Sequence, residues 1–430
     1  MTSGAGGVVT GGLWPSPWPA EDGGPRRLQV AARPTKGLDL AAGATLQVTH
    51  RDAPGTTMVV LRDPGEVYVL RHGFGDDAPA WVEQVDPFNL DVVRRSPDLA
   101  GGPMWPGGLA AHADGTLHVV FGNHAHRLGA DTTVIASTEL PRRRPYNSFV
   151  TLLDGHLVTK DFAGQRPGDP DARRAPAQLL VLDPESLAVV SALDLPEPSI
   201  ARLSADGDDI YIVGDTSLLR ARWDGAALAL DETFVAPYRT LAGQTYGWDA
   251  VIAMGAAWFL DDGEGTHRYA GTFRGQGIST EPLHIVRVDL TSGGVSLTEV
   301  CGLPGGLIAN PPLVDPGRRI VVGYDSGNGV MAAFDIAPDG ALAARWTRQQ
   351  DHASHLLLFA EAGQVVSCDH DRERMADQVV LLDIETGTEL ARADTGSPLQ
   401  AVVFPSVGWN DDVYICSMST LSRVSVAKGH

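Results

Sequence analysis

The chain is predicted to fold as an all-β propeller of eight four-stranded blades, and three observations carry that expectation. The first is a short design that recurs along its 430 residues: a turn glycine, four or five apolar residues, then an abrupt change to Asp or His. It is plainest in Gly363-Gln-Val-Val-Ser-Cys-Asp369-His370-Asp371 and in Pro316-Gly-Arg-Arg-Ile-Val-Val-Gly-Tyr-Asp325. Its apolar cores start at Val67, Leu117, Leu157, Ile210, Ala257, Ile320, Val365 and Val413, at spacings of 40 to 63 residues, and an internal period of this size marks a solenoid or a propeller. The second is that each repeat offers four short β runs and no long amphipathic helix. The third concerns the ends. The last repeat supplies only three clear runs, while an orphan run at 45–50 precedes the first full repeat. Joining the two closes a ring and hides the sheet edges that an open array exposes. Seven blades is the alternative, if one of the recurrent runs is a loop hairpin.

Taken in order, residues 1–43 are rich in Gly, Pro and Trp and show no periodicity. Such a segment is a frayed tail or an extended arm; we read an arm whose Trp14 and Trp18 pack on the body. Residues 44–430 read as one propeller domain, since repeat architectures grow by adding units. In the first full repeat the four runs are 57–61, 67–70, 80–85 and 91–94; call them A, B, C and D, from the axis outward. The A–B connections carry hairpin chemistry in Asp63-Pro-Gly65, Asp114-Gly115, Asp154-Gly155, Asp206-Gly207 and Asp315-Pro-Gly317, and the C–D connections carry aspartate turns that begin at Asp86, Asp183, Asp289 and Asp383. These aspartates have a structural explanation and receive no catalytic role.

Composition excludes some functions. With 33 basic against 53 acidic residues the net charge is −20, which repels phosphate backbones and anionic lipid; neither nucleic acid nor membrane is an expected partner. Three cysteines, Cys301, Cys368 and Cys416, leave an odd count without framework spacing, as in a reducing compartment. The N-terminus has neither a basic leader nor a long apolar run, and the location expected is cytoplasmic.

The segment Asp383-Ile-Glu-Thr-Gly-Thr-Glu-Leu390 and the Asp289-Leu-Thr-Ser-Gly-Gly turn resemble the C–D turns of quinoprotein-like, PQQ-binding-like eight-bladed propellers. The resemblance covers about two blades and implies the fold. The docking tryptophan that follows Thr-Gly in that family is Leu390 or a neighbour here, so neither a quinone nor a nucleotide cofactor is implied. The phrase Arg144-Pro-Tyr-Asn147-Ser is similar to the Arg-Pro-Asn-Asp of regucalcin/lactonase and paraoxonase-like propellers, and Asn147 and Asn310 resemble in place the strand-opening Asn that binds metal there.

In a propeller the B–C loops and the D–A links crowd one end of the central tunnel, so residues after B and before A are expected on one face. That rule collects His72, His124, Asp325, Asp369 and His370 after B strands, and Trp105, Arg144, Tyr146, Asn147, Tyr246, Trp248, Asn310 and His355 before A strands. Imidazoles with carboxylates serve general acid–base chemistry and also suit a divalent metal. We therefore expect His72, His124, His355 and His370 as ligands or proton shuttles, and Asp325 and Asp369 as bases or ligands. Arg144 would orient an anionic group, Tyr246 and Trp248 would form an apolar wall, and Trp105, Tyr146, Asn147 and Asn310 would complete the substrate site. Asp161, Asp215, Asp261 and Asp325 follow B strands in four repeats and suggest a ring of acids. The long B–C loop from Asp262 to about His284, and the one from Asp161 to about Pro176, read as lids. The function expected is an enzyme of hydrolase, lyase or isomerase type acting on a small molecule at the top-face funnel, with or without a divalent metal. The rival is a non-catalytic propeller that presents its faces to a protein partner.

Overall fold

The structure, a computed structural model, describes residues 11–40, 44–166 and 174–427. The two ends of the arm and the tip of the 161–176 loop lie outside the described residues. Eight antiparallel four-stranded sheets are arranged as the blades of a propeller. Blade I has strands Thr56–Leu61, Val67–His72, Ala80–Val85 and Val92–Arg95. Blades II to VII span 108–139, 150–194, 204–237, 251–299, 313–349 and 357–394. All eight recurrent apolar runs are B strands, which removes the seven-bladed alternative.

Blade VIII is the closure. Its strands Pro405–Val407, Val413–Cys416 and Thr420–Ala427 come from the C-terminal end of the chain, and Thr45–Asp52 pairs antiparallel with Thr420–Ala427 as the outermost strand, from Thr45 opposite Ala427 to Asp52 opposite Thr420. The orphan run is thus the missing strand. Polarity rises outward within each blade, because inner strands are sandwiched between neighbouring blades and outer ones meet water. In blade I the strand Thr56–Leu61 is wholly buried and Val92–Arg95 wholly exposed.

The turns behave as their residues dictate. At the C–D turns the carboxylates of Asp86, Asp183 and Asp289 each accept two backbone N–H groups, and Asp383 accepts that of Thr386. Gly65, Gly115 and Gly155 turn three A–B hairpins with φ near 90°, a conformation that suits glycine.

The arm closes the A–B end of the tunnel. Inner-strand edges are unpaired towards the axis, and the arm supplies partners for them round the ring. The N–H groups of Leu61, Ala111, Ala205, Ile252 and Leu358, from blades I, II, IV, V and VII, donate to carbonyls of Trp18, Pro19, Pro25, Arg26 and Gln29. Gln29 also donates to the Pro312 carbonyl of blade VI at 2.7 Å. Trp18 is buried under the ring. Asp22, Arg27 and Gln29 take φ of 55°, 53° and 58°, which costs a side-chain-bearing residue energy. The ion pairs described next hold the strained turn in place.

Candidate functional site

The arm carries charge into the axis. Arg27 lies 2.7 Å from both Glu21 and Asp22, Arg202 lies 2.8 Å from Glu21, and the second carboxylate oxygen of Asp22 lies 2.8 Å from Nδ1 of His355. Asp249 stands 3.9 Å from Arg27 and 4.0 Å from Arg202, and accepts the Arg202 backbone N–H at 2.6 Å. All six side chains are buried. Three carboxylates face two guanidiniums here, with the His355 ring beside Asp22. Burial pushes the Asp22 carboxyl up, but His355 and Arg27 outweigh it and hold it below the usual carboxylate range.

Above this floor lies a cavity of about 140 Å³. The segments before the A strands of blades II, IV, V, VI and VIII wall it with Met104, Trp105, Pro106, Arg202, Trp248, Ala309, Asn310 and Val402 to Phe404. Trp105 stacks on Phe162 at 4.4 Å and lies 6.2 Å from Trp248. Phe404 is the partition between cavity and floor: the Arg202 guanidinium packs on its ring at 4.6 Å and the His355 ring at 4.1 Å.

The long loop of blade V is the roof. Its Thr266, Tyr269 and Phe273 line the cavity, and it crosses to blades VI and VIII. The Tyr269 hydroxyl donates to the Gln400 carbonyl at 2.7 Å, Phe273 N–H donates to the Gln400 side chain at 2.8 Å, and Gly275 N–H donates to Gly327 O at 2.9 Å. Its two ends are pinned together where Asp261 meets His284, whose Nδ1 lies 2.9 Å from the carboxylate. Next to it Asp262 is buried, in the left-handed region at φ 60°, with one carboxylate oxygen unpartnered. Burial, and then the neighbouring carboxylates of Asp261 and Asp325, push the Asp262 carboxyl up to about 8.

Of the sequence-predicted residues, Trp105, Trp248 and Asn310 meet in this cavity, and His355 lies beneath it. The others do not converge. His72 packs on Phe121 between blades I and II, with Nδ1 2.6 Å from Gly73 O, and burial lowers its pKa. His124 bonds Gly101 O. The His370 backbone donates to Asp351 O and its ring, also lowered by burial, belongs to a B strand longer than the sequence run suggested, Gln364–Asp371. Asp369 is held by Arg392 at 2.8 Å and Asp351 N–H at 2.8 Å. Asp325 caps the turn at Asn328, accepting its N–H at 3.0 Å. Arg144 pairs with Asp161 at 3.0 Å, Tyr146 is a core residue bridged to Asp161, Tyr246 lies under the Arg174 guanidinium at 4.0 Å, and Asn147 donates to Ile200 O at 3.2 Å.

His72, His124 and the blade VII pair His355 and His370 sit in separate surroundings and form no common ligand set. Arg202 and Phe404 were missed although they precede A strands in blades IV and VIII, so the rule that found Trp105 reaches them too. Glu21, Asp22 and Arg27 had no periodic signal.

No family model and no curated protein matches the chain by sequence. Solved structures do. BamB from Moraxella catarrhalis aligns with a TM-score of 0.58 at 12% identity over 89% of this chain and 99% of that one. The quinohemoprotein alcohol dehydrogenase ADHIIG from Pseudomonas putida HK5 aligns with a TM-score of 0.63 at 10% identity over 96% and 80% of the two chains. The corresponding enzyme from Comamonas testosteroni gives 0.62 at 11% identity, over 97% and 82%. The chain shares the β-propeller fold with these proteins. A quinone carrying carboxylates would need cations facing the cavity. Arg202 is the cation in its lining, and Glu21 with the carbonyls of Pro106, Gly107 and Asn147 already engages it.

Proposed function

We propose that the funnel is a small-molecule site and that the chain is an enzyme using His355 and Asp22 as its acid–base pair. The observation that supports this most is the lidded cavity, in which Trp105, Trp248, Tyr269, Phe273 and Phe404 surround a space with few polar groups, Arg202, Thr266 and Asn310 among them. Such a lining suits a flat, largely apolar compound with one polar end. Asp22, with a carboxylate oxygen 2.8 Å from Nδ1, would orient the His355 ring, which leaves Nε2, buried and without a hydrogen-bond partner, as the atom that exchanges a proton. Phe404 must turn aside for substrate to reach it. Hydrolase, lyase or isomerase chemistry is compatible with one such pair. Three free cysteines fit the proposed cytoplasmic setting.

A screen of small aromatic carboxylates, amides and amines by thermal shift tests the reading. A binder should raise the melting temperature of the native chain and lose its effect in Trp248→Ala; His355→Asn should retain binding and lose turnover. Turnover unaffected by His355→Asn would remove the acid–base role. The scaffold reading has one observation of its own: the outer strands of blades I, II and III expose the apolar pairs Val92-Val93, Val134-Ile135 and Val189-Val190.

A further inference from the structure

The A–B hairpin of blade II, on the face opposite the funnel, reads His112-Ala-Asp114-Gly-Thr116-Leu-His118. One ligand atom from each of His112, Asp114 and His118 lies within 4.8 Å of the other two. His112 and His118 are buried, while Asp114 reaches the surface.

The hydrogen bonding of His112 points to a cation. Its Nε2 lies 3.0 Å from the Gly155 carbonyl of blade III and therefore carries a proton. In the neutral ring Nδ1 then presents a lone pair, yet it lies 2.9 Å from a carboxylate oxygen of Asp114. The donor that reaches Nδ1, the Asp114 backbone N–H, is distant at 3.3 Å. Two lone pairs so close repel unless a proton or a metal ion stands between them. A backbone carbonyl that fixes the far nitrogen is also the usual support of a metal-bound imidazole. His118 Nδ1 is buried with no partner, and its Nε2 meets the Thr116 hydroxyl at 3.1 Å. Arg127 holds the second oxygen of Asp114 at 2.9 Å, and Thr116 donates its hydroxyl to the first at 2.7 Å, so the carboxylate is oriented from outside.

We propose that His112, Asp114 and His118 bind one divalent transition metal of the zinc type, with a further position open to water on the Asp114 side. Two imidazoles and a carboxylate are ordinary zinc ligands, and bond lengths of about 2.0–2.2 Å require the ligand atoms to close by at most roughly 1–1.5 Å. The ion clamps structure. Leu13 of the arm bridges to His112, Trp14 N–H donates to Ala111 O at 2.9 Å, and Ala113 N–H donates to Gly12 O at 2.9 Å. A metal here fixes the hairpin on which the arm rests and ties blade II to blade III through Gly155.

The test is titration of the full chain, stripped with chelator, with Co²⁺ followed by its visible d–d absorption, then by Zn²⁺ displacement. One equivalent of Co²⁺ should bind with a tetrahedral-type spectrum and be displaced by zinc. His118→Gln and Asp114→Asn should each weaken binding at least ~10-fold, and His50→Gln, on the outer strand of blade VIII, should not. A folded wild-type chain that gives no cobalt band overturns the proposal and assigns a proton to the His112–Asp114 contact, whether or not the variants fold. Binding that survives both ligand substitutions overturns it as well, by placing the metal elsewhere.

Discussion

The two ends of the tunnel are closed by segments of similar length and different physics. At the A–B end the arm is held by buried ion pairs, Arg27 with Glu21 and Asp22, and by backbone bonds to inner strands round the ring. At the B–C end the 262–284 loop is held by neutral hydrogen bonds with Gln400, Gly327, Gly243 and Gly305, and by a surface-reaching pair, Arg274 with Asp351 at 3.0 Å. Removing one partner of a buried ion pair costs about 3–5 kcal/mol, whereas one neutral hydrogen bond contributes about 0.5–1.5 kcal/mol. The arm's buried ion pairs are thus individually costlier to break than the hydrogen bonds that tie the loop to blades VI and VIII.

The largest effect that would break this contrast is expected from Arg27→Met. It leaves Glu21, Asp22 and Asp249 buried with less compensation and should lower unfolding stability by about 3–5 kcal/mol in urea titration. An unchanged midpoint would mean that the arm is merely draped on the ring.

Asp262→Asn sharpens the other side. A carboxyl whose folded pKa exceeds its unfolded value lends relative stability at low pH and takes it away as pH rises, here between its ordinary 3.8 and about 8. The wild type should lose stability, or open its loop more readily, across that window. The Asn variant, which tolerates the left-handed backbone, should be flatter with pH and melt a few degrees higher at alkaline pH. A parallel pH dependence in both proteins would assign the effect to other groups.

The smallest effect belongs to Tyr269→Phe. Loss of its bond to Gln400 should speed amide exchange in residues 266–275 by a few-fold, about 1 kcal/mol of local opening, with the melting temperature of the ring unchanged.

The ring was legible because its determinants are local. Asp-Gly hairpins, aspartate turns and apolar B runs repeat, and the unpaired run at 45–50 could pair only with the incomplete last blade. The site was legible in part, and geometry explains which part. Of the residues before A strands, Trp105, Trp248, Asn310 and His355 converge at the axis or just below, while Arg144, Tyr146, Asn147 and Tyr246 are taken up by Asp161, the core, Ile200 and Arg174. Residues after a B strand start one strand further out, about 4.8 Å, on a wider circle, and His72, Asp325, Asp369 and His370 end in turns or between blades. The arm was opaque in detail: its Glu21, Asp22 and Arg27 follow no period, and what they pair with comes from blades IV, V and VII, far away in sequence.

The central claim, that the funnel is a small-molecule site built on Trp105 and Trp248, is tested most directly by a fluorescence titration. Anilinonaphthalene sulfonate, a flat aromatic anion, is added to the native chain and to Trp105→Ala and Trp248→Ala. The account predicts one saturable site with quenching of tryptophan emission, weakened at least ~10-fold, about 1.4 kcal/mol, in each variant. Absence of saturable binding, or affinity indifferent to both tryptophans, would contradict it.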